Sequence, residues 1–118
     1  NSPVLQVTVS SYSCNKALVN YLDRVCVSRC YYAMFYTAQA WLASKSIKSR
    51  THRGVIQLFN QHFIKTGELP QDFARSLSEA YALRQLSDYD DNELTHEQAE
   101  ATLELARLFV NRAGQTLS

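Results

Sequence analysis

Apolar positions recur at the three-and-four spacing of helices along most of the chain. The densest stretch is 23–44. Cys26, Cys30, Ala33, Met34, Thr37 and Trp41 mark one side of it, and Val27, Tyr31, Phe35, Ala38 and Leu42 another. A helix apolar on most sides is a central one, covered by several neighbours. Its polar remainder is narrow: Ser28, Arg29, Tyr32, Tyr36 and Gln39. Arg29, Tyr32 and Tyr36 fall at i, i+3 and i+7 and share a face. Residues 45–50 form a polar connection. Thr51 caps a helix over 52–65 that turns Val55, Ile56, Phe59 and Phe63 inward, and Thr66-Gly67 ends it. Pro70 opens a helix to about residue 87, with Phe73, Leu77, Ala80 and Tyr81 on its apolar face. The capping box Thr95-His96-Glu97-Gln98 starts the last helix, whose expected inner face is Ala99, Leu103, Ala106, Val110 and Ala113.

Upstream, 14–22 reads as the end of a first helix through Ala17, Leu18, Tyr21 and Leu22. In residues 1–12, Val4, Val7, Thr8 and Val9 favour a strand, yet nothing else supplies a partner strand. That segment is either a frayed end or a β-prone stretch drawn into a helix by packing. The pattern predicts an all-α fold: one domain over 1–118, an antiparallel up-and-down bundle of four to five helices.

Composition agrees. A chain of 118 residues is one domain's worth, and 46% apolar with 19% charged residues is globular. Three Gly and two Pro are too few for the turns of a sandwich or barrel. The net charge of +1 sets up no global field toward nucleic acid or membrane. No apolar run reaches membrane-span length and no signal peptide is visible, so the expected location is cytoplasmic, away from membranes. Cys26 and Cys30 share a helix face, but no third or fourth ligand stands at zinc spacing; Cys14, Cys26 and Cys30 read as reduced thiols. Asp88-x-Asp90-x-Asn92 begins like a calcium loop, but Glu93 and Ala99 stand where Gly and Glu are required. No Gly-rich phosphate loop is present. No metal or cofactor is expected.

Charge changes the picture locally. Lys45, Lys48, Arg50 and Arg53 surround His52, and an acidic run follows from Asp88 to Glu104. Arg84 breaks the apolar pattern: it lies eleven residues, three turns, after Phe73 and so projects from the same face. A guanidinium cannot deprotonate, so it pairs with a carboxylate such as Asp88 or faces a cleft, where its planar fork suits phosphate. Arg29 poses the same choice. His52 sits at a helix start, where backbone N–H groups favour an anion, and it reads either as a surface cap or as a group that contacts phosphate or moves a proton. His62 reads as structural and His96 as exposed.

Three blocks in order then carry a resemblance: Ser28-Arg-Cys-Tyr-Tyr-Ala-Met-Phe-Tyr36; Thr51-His-Arg-Gly-Val55 with Phe59-Asn-Gln-His-Phe-Ile-Lys-Thr-Gly67; and Leu83-Arg-Gln-Leu-Ser-Asp-Tyr-Asp90. Together, from about Leu18 to Val110, the chain resembles a small stand-alone prokaryotic HEPN domain. The resemblance implies a helical bundle that forms a homodimer with a cleft at the interface. Many such relatives are metal-independent RNA-cleaving toxins, often encoded beside a nucleotidyltransferase antitoxin that in some cases adds AMP to a Tyr. Others bind nucleotides or partner domains without known activity, so the alternatives are a non-catalytic nucleotide- or RNA-binding dimer and a purely structural dimer with Arg29 and Arg84 in ion pairs. On this resemblance Arg84, Tyr89 and His52 are the candidate catalytic residues. Arg29, Arg84, Tyr32, Lys48, Arg50 and Arg53 are the candidate phosphate and nucleotide contacts, and Asp88 and Ser28 would orient them. The family's ribonuclease motif is an Arg, four to six residues, then a His. Here Tyr89, Asp90 and Asp91 follow Arg84 at that spacing.

Overall fold

A computed structural model describes residues 12–88 and 94–117, with side chains from residue 17. The alternatives for the chain before residue 12, and the role expected of Tyr89, lie outside the described residues. The described residues form four helices and no strand: α1 Tyr12–Ser44, α2 His52–Phe59, α3 Gln71–Ser87 and α4 His96–Thr116. The all-α bundle expected from the pattern is what the chain forms.

The segments 14–22 and 23–44 are one continuous helix of 33 residues. No Gly or Pro interrupts them, so nothing in the backbone forces a break. At about 1.5 Å per residue α1 spans about 50 Å, close to the 52 Å long axis of the molecule. Its middle is enclosed: Val27, Tyr31, Met34, Phe35, Ala38, Trp41 and Leu42 are all buried. Nearer its start, Val19, Tyr21 and Leu22 are exposed.

The Thr51 hydroxyl accepts from the Gly54 N–H at 3.0 Å and caps α2. A Cβ at Gly54 would fall on Ser49 Oγ and Thr51 Oγ1, so a larger residue there requires those hydroxyls to move. The helix does not stay regular to residue 65. Asn60–Ile64 form a π-helical turn, closed by Lys65 N–H donating to the Asn60 carbonyl at 2.9 Å. The wider turn lets the adjacent Phe63 and Ile64 both join Phe59 inside. Gly67, at φ 82°, then supplies the left-handed residue that ends the segment.

Contacts fix the directions. α2 begins at His52, beside Tyr31 and Phe35, and reaches Trp41 through Phe59 and Phe63. α3 returns, from Phe73 at Trp41 to Tyr81 at Tyr31. α4 goes back up, from the Asp23–His96 pair to Trp41 Nε1, which donates to Thr116 Oγ1 at 3.0 Å. Thus α2, α3 and α4 alternate as in an up-and-down bundle. The step from α1 to α2 departs from that order, because residues 45–51 run back along α1 before α2 starts. Gln39 anchors this return by donating to the Ser49 carbonyl at 3.0 Å.

The inner face of α4 differs from the expected one at two of its five positions, in each case by one residue. Ala99, Thr102, Ala106, Phe109 and Ala113 are buried, while Leu103 and Val110 are 38% and 41% exposed. Phe109 decides this: its ring lies 5.3 Å from Trp41 and 5.2 Å from Phe73, and an aromatic there buries more apolar area than Val110 could. The Thr95 capping box forms as expected. No helix among the described residues is long and apolar enough to cross a membrane.

Candidate functional site

Arg84 stands in the last turn of α3, where the helix leaves the aromatic core. Its guanidinium carbon lies 5.1 Å from the Tyr32 ring centre and 6.0 Å from that of Tyr31. Its ion-pair partner among the described residues is Asp88, at 4.0 Å and 63% exposed. Such an open i,i+4 pair contributes only about 0.3–0.5 kcal/mol. Arg84 Nε is buried and has no hydrogen-bond partner among the described residues. The cation is therefore walled by tyrosines and only loosely compensated. Two shallow grooves meet at Asp88. One, of about 540 Å³, includes Arg84 and Gln85; the other, of about 280 Å³, includes Tyr21, Ser28 and Ser87.

His52, the first residue of α2, packs against the same wall. Its ring lies 4.7 Å from Phe35 and stacks 5.6 Å from Tyr81. Its pKa is lowered below the usual 6.5, first by burial and then by the positive charge of Arg84. His52 is thus neutral at pH 7. Its Nδ1 lies 2.7 Å from the hydroxyl of Tyr31. Burial, followed by Tyr81, pushes the Tyr31 phenol above its ordinary range, so Tyr31 keeps its proton. Tyr31 is fully buried, and a buried hydroxyl hydrogen needs an acceptor. His52 Nδ1 is the acceptor within reach. Donation to Nδ1 leaves the imidazole proton on Nε2, which makes His52 a second hydrogen-bond donor beside Arg84.

The remaining expected residues are distributed as follows. Tyr32 is half-buried, ringed by Arg84, Tyr31, Phe35, His52 and Tyr36. Arg29 is exposed one turn before Tyr32. Ser28 and Asp88 share the smaller groove. Lys48, Arg50 and Arg53 are exposed on either side of His52. Lys45, part of the same basic stretch, is engaged by Glu68 and the His62 carbonyl. The described residues contain no group of three or more His, Cys, Asp or Glu able to hold a metal ion.

The HEPN domain profile matches residues 14–115. The chain belongs to the HEPN family. "Putative toxin MJ0605" of Methanocaldococcus jannaschii is 33% identical over 115 residues, covering 97% of this chain and 86% of that protein. "Putative toxin MJ0142" of the same organism is 41% identical over 92 residues, 77% of this chain and 63% of that protein. "UPF0332 protein glr0978" of Gloeobacter violaceus is 49% identical over 65 residues, 55% of this chain and 52% of that protein. The chain thus spans between about half and nine tenths of these relatives. No solved structure matches it.

In this HEPN chain, Arg84, Tyr32 and His52 come together. Two members of the cluster carry no sign of it in the sequence pattern. Tyr31 and Tyr81 sit at core-facing positions and read as packing residues; what distinguishes them is the phenol oxygen, which inside a core must find a partner. Tyr31 finds His52, and Tyr81 accepts from Gln85 Nε2 at 3.1 Å.

Proposed function

We propose that this HEPN protein is of the toxin type and engages RNA through a phosphate held by Arg84 and His52. The observation that carries this reading is the state of Arg84: a cation set against tyrosine rings, its Nε without a partner among the described residues and its carboxylate at 4.0 Å. A phosphate oxygen would satisfy that guanidinium better than Asp88 does. His52 Nε2–H would supply a second donor, and Lys48, Arg50, Arg53 and Arg29 would neutralise flanking phosphates. Asp88 and Ser28 would orient the groove. The names of the two archaeal relatives support the toxin assignment.

Binding is favoured over cleavage by the placement of protons. Transesterification needs a base for the 2′-hydroxyl, and the His52 nitrogen that could accept a proton faces Tyr31. Ribonuclease activity, with His52 or Tyr89 moving protons, is the second reading. The neutral His52 beside Arg84 favours it. A homodimer with a composite cleft fits the exposed Val19, Tyr21 and Leu22, since Tyr21 also lines the Asp88 groove. A nucleotidyltransferase would serve as antitoxin.

The test is RNA binding and cleavage in chelator by the protein and its Arg84→Ala variant. Affinity lost in the variant without cleavage supports the binding reading. Cleavage lost in the variant supports the ribonuclease. An Arg84→Ala protein that binds RNA as well as the parent overturns both.

A further inference from the structure

Tyr36 is a large aromatic residue 61% exposed on the most enclosed helix of the fold. Core packing does not account for it. Its ring stacks on Tyr32, with centres 6.0 Å apart and planes 29° apart, and meets Phe35 edge-on at 5.6 Å. Tyr32 in turn lies under the Arg84 guanidinium at 5.1 Å. Arg84, Tyr32 and Tyr36 therefore form a continuous row from the cation to an open aromatic ring. Exposed Arg29 stands two turns before Tyr36 on the same face of α1.

We infer that Tyr36 is the stacking platform for an unpaired base adjacent to the phosphate at Arg84. This makes it the residue by which the site selects single-stranded over duplex RNA. The inference rests on the phosphate reading of Arg84 above. Three physical points carry it. Tyr36 is oriented by Tyr32 and Phe35, so little side-chain freedom is lost on binding. Every base presents a π face, so one ring suffices without sequence readout. Only an unstacked base offers that face; in a helix it is covered by its neighbours. Tyr32, a candidate nucleotide contact on the family resemblance, is half-buried among these rings and acts as the support behind Tyr36. Exposed Arg29, one turn before Tyr32, adds a second cation on the Arg84 side of Tyr36, where the phosphate chain leading to the stacked base would run.

The experiment measures anisotropy of three labelled 2′-O-methyl probes, which resist cleavage: a single-stranded decamer, the same decamer with abasic positions throughout, and a hairpin duplex. The proteins are the parent, Tyr36→Ala, Tyr36→Trp and Arg84→Ala, each also sized in solution. Tyr36→Ala is expected to weaken the single-stranded decamer about tenfold to a hundredfold, with its salt slope unchanged. It should leave the abasic and duplex probes as they are, and Tyr36→Trp should retain affinity. Arg84→Ala should weaken base-bearing and abasic strands alike. If Tyr36→Ala changes nothing, or weakens the abasic strand equally, while Arg84→Ala still weakens both, Tyr36 is no platform and the phosphate reading stands. If Tyr36→Ala changes the oligomeric state and restored assembly restores binding, Tyr36 belongs to a protein interface and the inference is overturned. Undiminished binding by Arg84→Ala removes the phosphate reading and this inference with it.

Discussion

The Tyr31 hydroxyl and His52 Nδ1 lie 2.7 Å apart, joining the buried centre of α1 to the first residue of α2. This bond sets which imidazole nitrogen faces outward. Tyr31→Phe keeps the ring and removes the bond. The expected cost is about 1 kcal/mol in stability. Nitrogen-15 shifts of His52 should move from the Nε2–H form toward a mixture of tautomers. Unchanged shifts would show that Tyr31 does not fix the tautomer.

Arg84 acts on His52 through charge. Removing it in Arg84→Ala should raise the His52 pKa toward 6.5 without passing it, because burial is the larger cause of its depression and remains. Proton NMR titration of the imidazole reads this directly. A His52 that titrates identically in both proteins would separate the two residues electrostatically.

Gly54 is set by the cap beneath it. Gly54→Ala would push its methyl onto Thr51 Oγ1 and Ser49 Oγ. Loss of the cap costs about 1–2 kcal/mol and shifts His52, two residues upstream in the same turn. Denaturant unfolding should show the loss, and RNA affinity should fall with it. A Gly54→Ala protein as stable as the parent would mean that Ser49 and Thr51 simply rotate away.

His96 gives the opposite pH behaviour from His52. Its Nδ1 lies 2.9 Å from the buried Asp23 and its Nε2 3.1 Å from Glu100. The hydrogen bond and charge of Asp23, then Glu100 and Glu97, raise its pKa above 6.5. A raised histidine stabilises the fold fully below pH 6.5, and that contribution fades as pH rises through the folded value. A lowered one, His52, contributes above pH 6.5 and loses its contribution as pH falls. The stability difference between the parent and His96→Gln should therefore be largest in mild acid and shrink above neutrality. A difference that grows with pH would contradict the Asp23 clasp.

The helices were legible because their apolar spacing and caps agree: Thr51, Gly67 and the Thr95 box all stand where the chain turns. Arg84 was legible as a charge on an apolar face. The phase of α4 was not, because Val110 and Phe109 are both apolar and only the space beside Trp41 chooses between them. The return of residues 45–51 along α1 was hidden too, since it is set by a left-handed turn at a non-glycine residue, Ser46, and by bonds back to α1 at Leu42 and Gln39. Tyr31 and Tyr81 read as core because spacing registers a ring and not its hydroxyl.

Because α1 is one unbroken rod, Tyr31, Tyr32 and Tyr36 are held at fixed angles to Trp41, which is seated between Phe59 and Phe109. Each residue in a helix advances the chain by about 100°. A single insertion or deletion between Tyr36 and Trp41 would leave every tyrosine in the sequence yet rotate all three away from Arg84 and His52. On the proposed reading of Arg84, the number of residues in that interval is itself constrained, and a homologue that alters it has to rebuild the cluster.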